Sequence, residues 1–189
     1  MKISEWDLRY RTKERPDADL HAPPTPLVVG TVADMAPGRA LDIACGTGRN
    51  ALWMAERGWN VTAVDGAPTA IQILNDRIRD RGLKMTTRVV DLEKPEFAIE
   101  PESFDLICCC YYLQRDLIPK IRAGLRPGGV AIVIVHVVGP GEAPNYKHTA
   151  PGELRGFFED WEILHEFHGL PDDSAHKRAV DEVVARKRL

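Results

Sequence analysis

Leu41-Asp42-Ile43-Ala44-Cys45-Gly46-Thr47-Gly48-Arg49-Asn50 passes from a mostly apolar run beginning at Ala40, with one acid inside it, through two glycines spaced by one residue. It then enters the helical period of Ala51, Leu52 and Ala55, which Gly58 closes as a C-terminal cap. The order is buried strand, tight turn, helix. Glycine stands where a backbone must turn sharply or let something approach with no Cβ in the way, so this turn reads as a ligand cradle.

Gly46-x-Gly48-x-x-Ala51 fits the dinucleotide fingerprint, a pattern of low specificity by itself. Trp59 to Asp65 (WNVTAVD) is a second apolar strand ending in an acid, which suits both hydroxyls of a ribose. Enzymes using NAD and those using S-adenosylmethionine (SAM) both place an acid there. Two features favour SAM. Val89-Val90-Asp91-Leu92 ends a third strand with an acid suited to an adenine amino group, and Asp42 lies inside the first strand. A negative charge gains nothing beside a pyrophosphate, whereas it suits a ligand with a cationic amino end. Any one of these acids alone reads as a cap or turn residue; three, each at the expected strand position, do not.

The residues from Leu41 to Asn50, Val61 to Pro68 (VTAVDGAP), Val89 to Leu92 (VVDL), Phe104 to Ile107 (FDLI) and Leu125 to Val130 (LRPGGV) resemble the ordered motifs of class I SAM-dependent methyltransferases. Within them the chain is similar to the small bacterial branch of tellurite-resistance and thiopurine-type methyltransferases. Trp6 to Tyr10 (WDLRY), Tyr111 to Arg115 (YYLQR) and Pro151 to Leu154 (PGEL) extend the similarity over nearly the whole length. Ala44 stands where many members have their first glycine, and Tyr111 and Gln114 replace histidines. The resemblance implies SAM as cofactor and S-adenosylhomocysteine as product. It assigns the cofactor to Asp42, Ala44, Gly46, Gly48, Asp65, Gly66, Asp91, Leu92 and the backbone near Cys109 and Cys110.

The rest of the chain gives an N-terminal amphipathic helix from Ile3 to Thr12 and an irregular, Pro-rich loop from Lys13 to Pro26 carrying His21. Helices are expected from Leu27 to Met35, from Ala67 to a Gly82 stop, and from Asp116 to Leu125. Asp76, Arg77, Arg79, Asp80 and Arg81 read as the solvated face of the second of these. Further strands are expected over Lys84 to Val90, Ser103 to Cys110 and Val130 to Val138, the last preceded by a stop at Arg126-Pro127-Gly128-Gly129. After a loop and a short helix come Trp161 to His168 and Arg178 to Lys187, joined by a short polar loop and therefore antiparallel. The expected class is α/β, a doubly wound Rossmann-like seven-stranded sheet, mostly parallel, with a C-terminal antiparallel strand. The ligand is expected at the carboxyl ends of strands one and four. Residues 1–189 read as a single domain, 1–26 as its N-terminal lid and 27–189 as its core.

With 189 residues, 44% of them hydrophobic, one α/β core can be filled. The formal net charge of −3 gives no general attraction to nucleic acid or anionic membrane. The longest apolar run, Val130 to Val138, is short for a bilayer and contains His136, and MKISEWDLRY has no signal-peptide core, so a cytoplasmic protein, monomer or homodimer, is expected. Cys108, Cys109 and Cys110 are consecutive and Cys45 stands apart, a spacing poor for disulfides or zinc. No metal is expected.

Methyl transfer from a sulfonium needs alignment above all, and a general base only if the acceptor bears a proton. His136, near the end of the fifth strand, Tyr111 or Tyr112, after the fourth, and His148 are the candidate bases, and Arg115 the candidate for an anionic acceptor. The substrate is expected to be a small thiol, chalcogen oxyanion or metabolite. A non-catalytic SAM sensor or partner subunit and an NAD(P)-binding oxidoreductase are the competing readings.

Overall fold

Arg39–Ile43 places four consecutive side chains in the interior, which only a strand covered on both faces can do. In the computed structural model it is β1 of seven strands. The structure describes residues 3–12, 22–95, 97–139, 141–142 and 145–189; most of the expected loop from Lys13, with His21, lies outside them. The chain forms two compact units, Met1–Phe97 and Ala98–Leu189.

In the first unit, β1, β2 (Asn60–Asp65) and β3 (Thr86–Val89) are parallel in the order β3-β2-β1. Ile43 pairs with Val64 and Asp65 with Val89, so the carboxyl ends of all three strands are level. Helices α1 (Ile3–Arg11), α2 (Pro26–Val32), α3 (Arg49–Ala55) and α4 (Pro68–Asp80) surround them. Proline opens α2 and α4, where a missing N–H costs nothing. Gly58 and Gly82, both at positive φ, follow α3 and α4 as their stops. Ile43, Leu52, Met54, Val61 and Leu74 are fully buried, each side chain contributing roughly 1.5–3 kcal/mol.

In the second unit, β4 (Phe104–Cys110) and β5 (Leu125–His136) are parallel, and β6 (Glu162–Gly169) and β7 (Val180–Arg186) form an antiparallel hairpin whose β7 pairs with β5. The order is β4-β5-β7-β6. Between them lie α5 (Leu117–Gly124) and the short α6 (Glu153–Gly156). The element order and strand directions match the expected topology, with two corrections to the bounds of β5. Arg126-Pro127-Gly128-Gly129 does not stop the chain before β5 but lies within it: Leu125 pairs with Phe104, the Gly128 N–H donates to the Lys187 carbonyl, and the Lys187 N–H to that of Gly129. Long-range pairing overrides the local turn signal. Nor does the strand reach Val138; it ends at His136, and Val137 forms a bridge to Thr149. No helix among the described residues is long and apolar enough to cross a membrane.

Candidate functional site

The turn after β1 is held by the acid at the end of β2. One oxygen of Asp65 accepts the Gly46 N–H at 2.8 Å and the other the Ala67 N–H at 2.8 Å, so a single carboxylate ties both turns together. Gly46 and Gly48 take φ of +55° and +83°; Ala44, at +54°, does so without being glycine. A Cβ on Gly48 would come within 2.3 Å of Leu74, and one on Gly46 within 3.0 Å of the Tyr10 hydroxyl.

Asp42 is buried at the heart of this turn, 2% exposed, and its Oδ2 has no hydrogen-bond partner among the described residues. Burial pushes its pKa up to about 7, against the N–H of Ala51 and the charge of Arg49. Burial likewise raises Asp65. Burial and these two acids hold the Cys45 thiol well above its ordinary value, which disfavours the thiolate. None of the four cysteines forms a disulfide among the described residues. Asp91 follows β3 and accepts the Glu93 N–H at 3.1 Å, with Leu92 buried beside it.

Helix α1 lies over these turns. Its Asp7 is 7% exposed and accepts the N–H of Thr69 at 2.8 Å, capping the first turn of α4, which has no side-chain cap of its own. Ile3 lies 3.0 Å from the place of a Cβ on Gly66. Arg77 is a correction: the Arg77 guanidinium does not lie on a solvated face but donates to the Thr47 carbonyl at 2.7 Å and hydroxyl at 3.3 Å. Burial lowers its pKa. The signal was available, since Arg77 follows Ala70 by seven residues and Leu74 by three, on the buried face of α4.

The second unit holds the other candidates. Cys109 and Cys110 end β4, and the Cys109 thiol lies 3.4 Å from the Tyr112 carbonyl. The Tyr112 hydroxyl and Gln114 Oε1 are 2.9 Å apart. Arg115 grips Glu153 through two nitrogens, at 2.7 and 3.0 Å, and also reaches the carbonyls of Asn145 and His148. Its guanidinium serves the loop before α6. His136 ends β5, its ring 5.5 Å from that of Tyr111, 5.4 Å from that of His176 and 6.4 Å from that of His148. Tyr111 follows β4 as the sequence placed it, whereas Asp173 and His176 were not legible: they come from the loop between β6 and β7, where no periodicity speaks.

Residues 40–129 match the family described as methyltransferase domain. Over this stretch the chain is similar to class I, SAM-dependent methyltransferases. The methyltransferase relatives include the probable SAM-dependent methyltransferase TehB of Haemophilus influenzae, 27% identical in an alignment that covers 74% of this chain and 53% of that protein. The crystal structure of TehB superposes with a TM-score of 0.73 at 25% identity, over 85% of this chain and 61% of that one. Hemagglutinin 1 of Eikenella corrodens is 31% identical over 70% of this chain and 47% of its own. The chain thus spans about half the length of the curated relatives it matches. The methyltransferase fold, α/β and Rossmann-like with seven strands, mostly parallel and with antiparallel strands at its C-terminal end, is the expected one.

The methyltransferase cofactor, SAM, fits what the first unit offers. An ammonium end matches the unpartnered buried oxygen of Asp42, and the glycine turn lets a ligand lie against backbone.

Proposed function

We propose that the protein transfers the methyl group of SAM to a small-molecule nucleophile, with residues 1–189 acting as one catalytic domain and residues 1–26 as its lid. The observation that carries this reading is the turn after β1: a carboxylate spanning two turns, a glycine path, and a buried acid with an oxygen to spare. Asp42, Ala44, Gly46, Gly48, Asp65 and Gly66 hold the methionine and ribose parts in this reading, and Asp91 with the Leu92 N–H the adenine.

When bound, the cofactor supplies an electrophilic methyl carbon with a neutral sulfur leaving group. The chain's own part is to orient the acceptor and keep water out; orientation alone lowers a barrier by roughly 7–11 kcal/mol. His136 accepts the acceptor's proton where there is one. Tyr112 and Arg115 shape the loop beside it, Arg115 through Glu153. The net charge of −3 favours neither nucleic acid nor an anionic membrane as partner, in keeping with a small acceptor; a cytoplasmic monomer or homodimer completes the reading.

The test is isothermal titration with S-adenosylhomocysteine, SAM and NADH, followed by single-turnover transfer of labelled methyl groups to a panel of thiols, catechols, selenite and tellurite. Micromolar binding of the sulfur ligands, abolished by Asp65→Ala, and label in an acceptor are the expected results. Binding of NADH alone would make the protein an oxidoreductase, and binding without transfer a SAM sensor.

A further inference from the structure

We propose that the exposed edge of β6 pairs antiparallel with β6 of a second copy of this chain, in the register that sets Phe167 against its own copy. The inference concerns the terminal hairpin of the second unit alone and stands whether or not the methyl-transfer reading does.

Strand β6 ends the order β4-β5-β7-β6 and, among the described residues, pairs with β7 only. Its eight residues, Glu162–Gly169 (EILHEFHG), include neither proline nor lysine, the residues that commonly blunt an open edge. A register shift between Ile163 and His165 falls near its start. Apolar side chains gather along the rest: Leu164 is 40% exposed, Phe167 38%, and Leu170, directly after the strand, 68%. An edge of this kind is a template for another strand.

Symmetry selects the register. Two copies that close on each other are related by a two-fold axis, and for strands side by side that axis stands normal to the sheet, so the strands run antiparallel and one residue faces itself. Alternation keeps Leu164, Glu166, His168 and Leu170 on one face and His165, Phe167 and Gly169 on the other. Centring on Glu166 would oppose two like charges, and centring on Leu164 would set Glu162 against Glu166. Centring on His165 or on His168 would set a leucine against Glu166. With Phe167 on the axis, Leu164 meets Leu170 of the second copy, Glu166 meets His168, and His165 meets the small Gly169. All three exposed apolar side chains then have apolar partners, and an acid faces an imidazole. Within its own chain Glu166 reaches Arg155 at 3.5 Å and His168 reaches Asp181 at 2.7 Å, yet both side chains stay about half exposed and so can face a neighbour as well.

The test is sedimentation equilibrium of the full chain. A monomer–dimer equilibrium with a midpoint on the order of 10 μM is expected, because one strand edge makes a small interface. Leu170→Lys, outside β6, is expected to weaken association about tenfold or more with Tm unchanged, and Phe167→Lys, which puts two like charges on the axis, to abolish it. Cross-linking reads the register, since opposed residues of an antiparallel pair have Cα atoms about 4.5–5.5 Å apart, within disulfide reach. On oxidation Phe167→Cys is expected to form a linked dimer by itself, Leu164→Cys and Leu170→Cys only when mixed, and the parent chain with its four cysteines not at all. A monomer at every concentration overturns the proposal, as do association untouched by both lysine variants, species larger than a dimer, and self-linking of Leu164→Cys in place of Phe167→Cys.

Discussion

Asp42 holds its proton to about pH 7 because burial disfavours the anion. A carboxyl group in the unfolded chain ionises near pH 4, so between these values the native protein keeps a proton that the unfolded chain gives up. Stability therefore falls as pH rises through that window and is level above it. Asp42→Asn is expected to raise Tm near pH 8, by roughly 2–4 °C for each kcal/mol regained, and to change it little near pH 4; differential scanning calorimetry at both values checks this. The two glycine-turn residues Ala44 and Gly48 give opposite expectations. Ala44→Gly relieves a positive φ and is expected to stabilise by about 1 kcal/mol, while Gly48→Ala drives a methyl into the fully buried Leu74 and is expected to cost roughly 2–4 kcal/mol in urea unfolding. The importance of these positions was plain from the sequence, since an acid inside an apolar strand and glycines at its end are local signals. The orphaned oxygen of Asp42 and the strain at Ala44 were not, because both depend on what surrounds them.

At the scale of elements, α4 does more than pack. Its Arg77 braces Thr47 in the turn, and its first turn is capped from outside by Asp7 of α1. Arg77→Met keeps the apolar stem and removes the donors; S-adenosylhomocysteine affinity is expected to fall about fivefold or more with a loss of stability near 1 kcal/mol. Asp7→Ala is expected to cost about 0.5–2 kcal/mol, the range for losing a helix cap, read from thermal unfolding. Strands β1, β2, β4 and the final hairpin were legible because apolar runs bounded by turn residues suffice to mark them. The start of β5 was not. Pro127 and Gly128 carry a local turn signal, and only the distant Phe104 and Lys187 make that stretch a strand.

For the whole molecule, a ligand that binds only the folded chain stabilises it in proportion to the logarithm of its concentration over Kd, about 2.7 kcal/mol at a hundredfold excess. S-adenosylhomocysteine at that excess is expected to raise Tm by several degrees and NADH to leave it unchanged, as followed by thermal shift. Fold class and cofactor were readable because the motifs that carry them are contiguous and ordered along the chain. The place of His176 was not, since it lies in the loop between β6 and β7 and reaches Tyr111 only through tertiary folding, whereas Tyr111 and His136 are neighbours through the pairing of β4 with β5.

The buried acid of β1 also gives cofactor uptake a calorimetric signature. An ammonium group settling beside Asp42 favours its anion, so near pH 7 part of a proton must leave the protein for the surrounding buffer with each ligand bound. The apparent heat then varies with the buffer's own ionisation enthalpy, differing between Tris and phosphate, and the slope reports the fraction of a proton released. In Asp42→Asn that slope is flat.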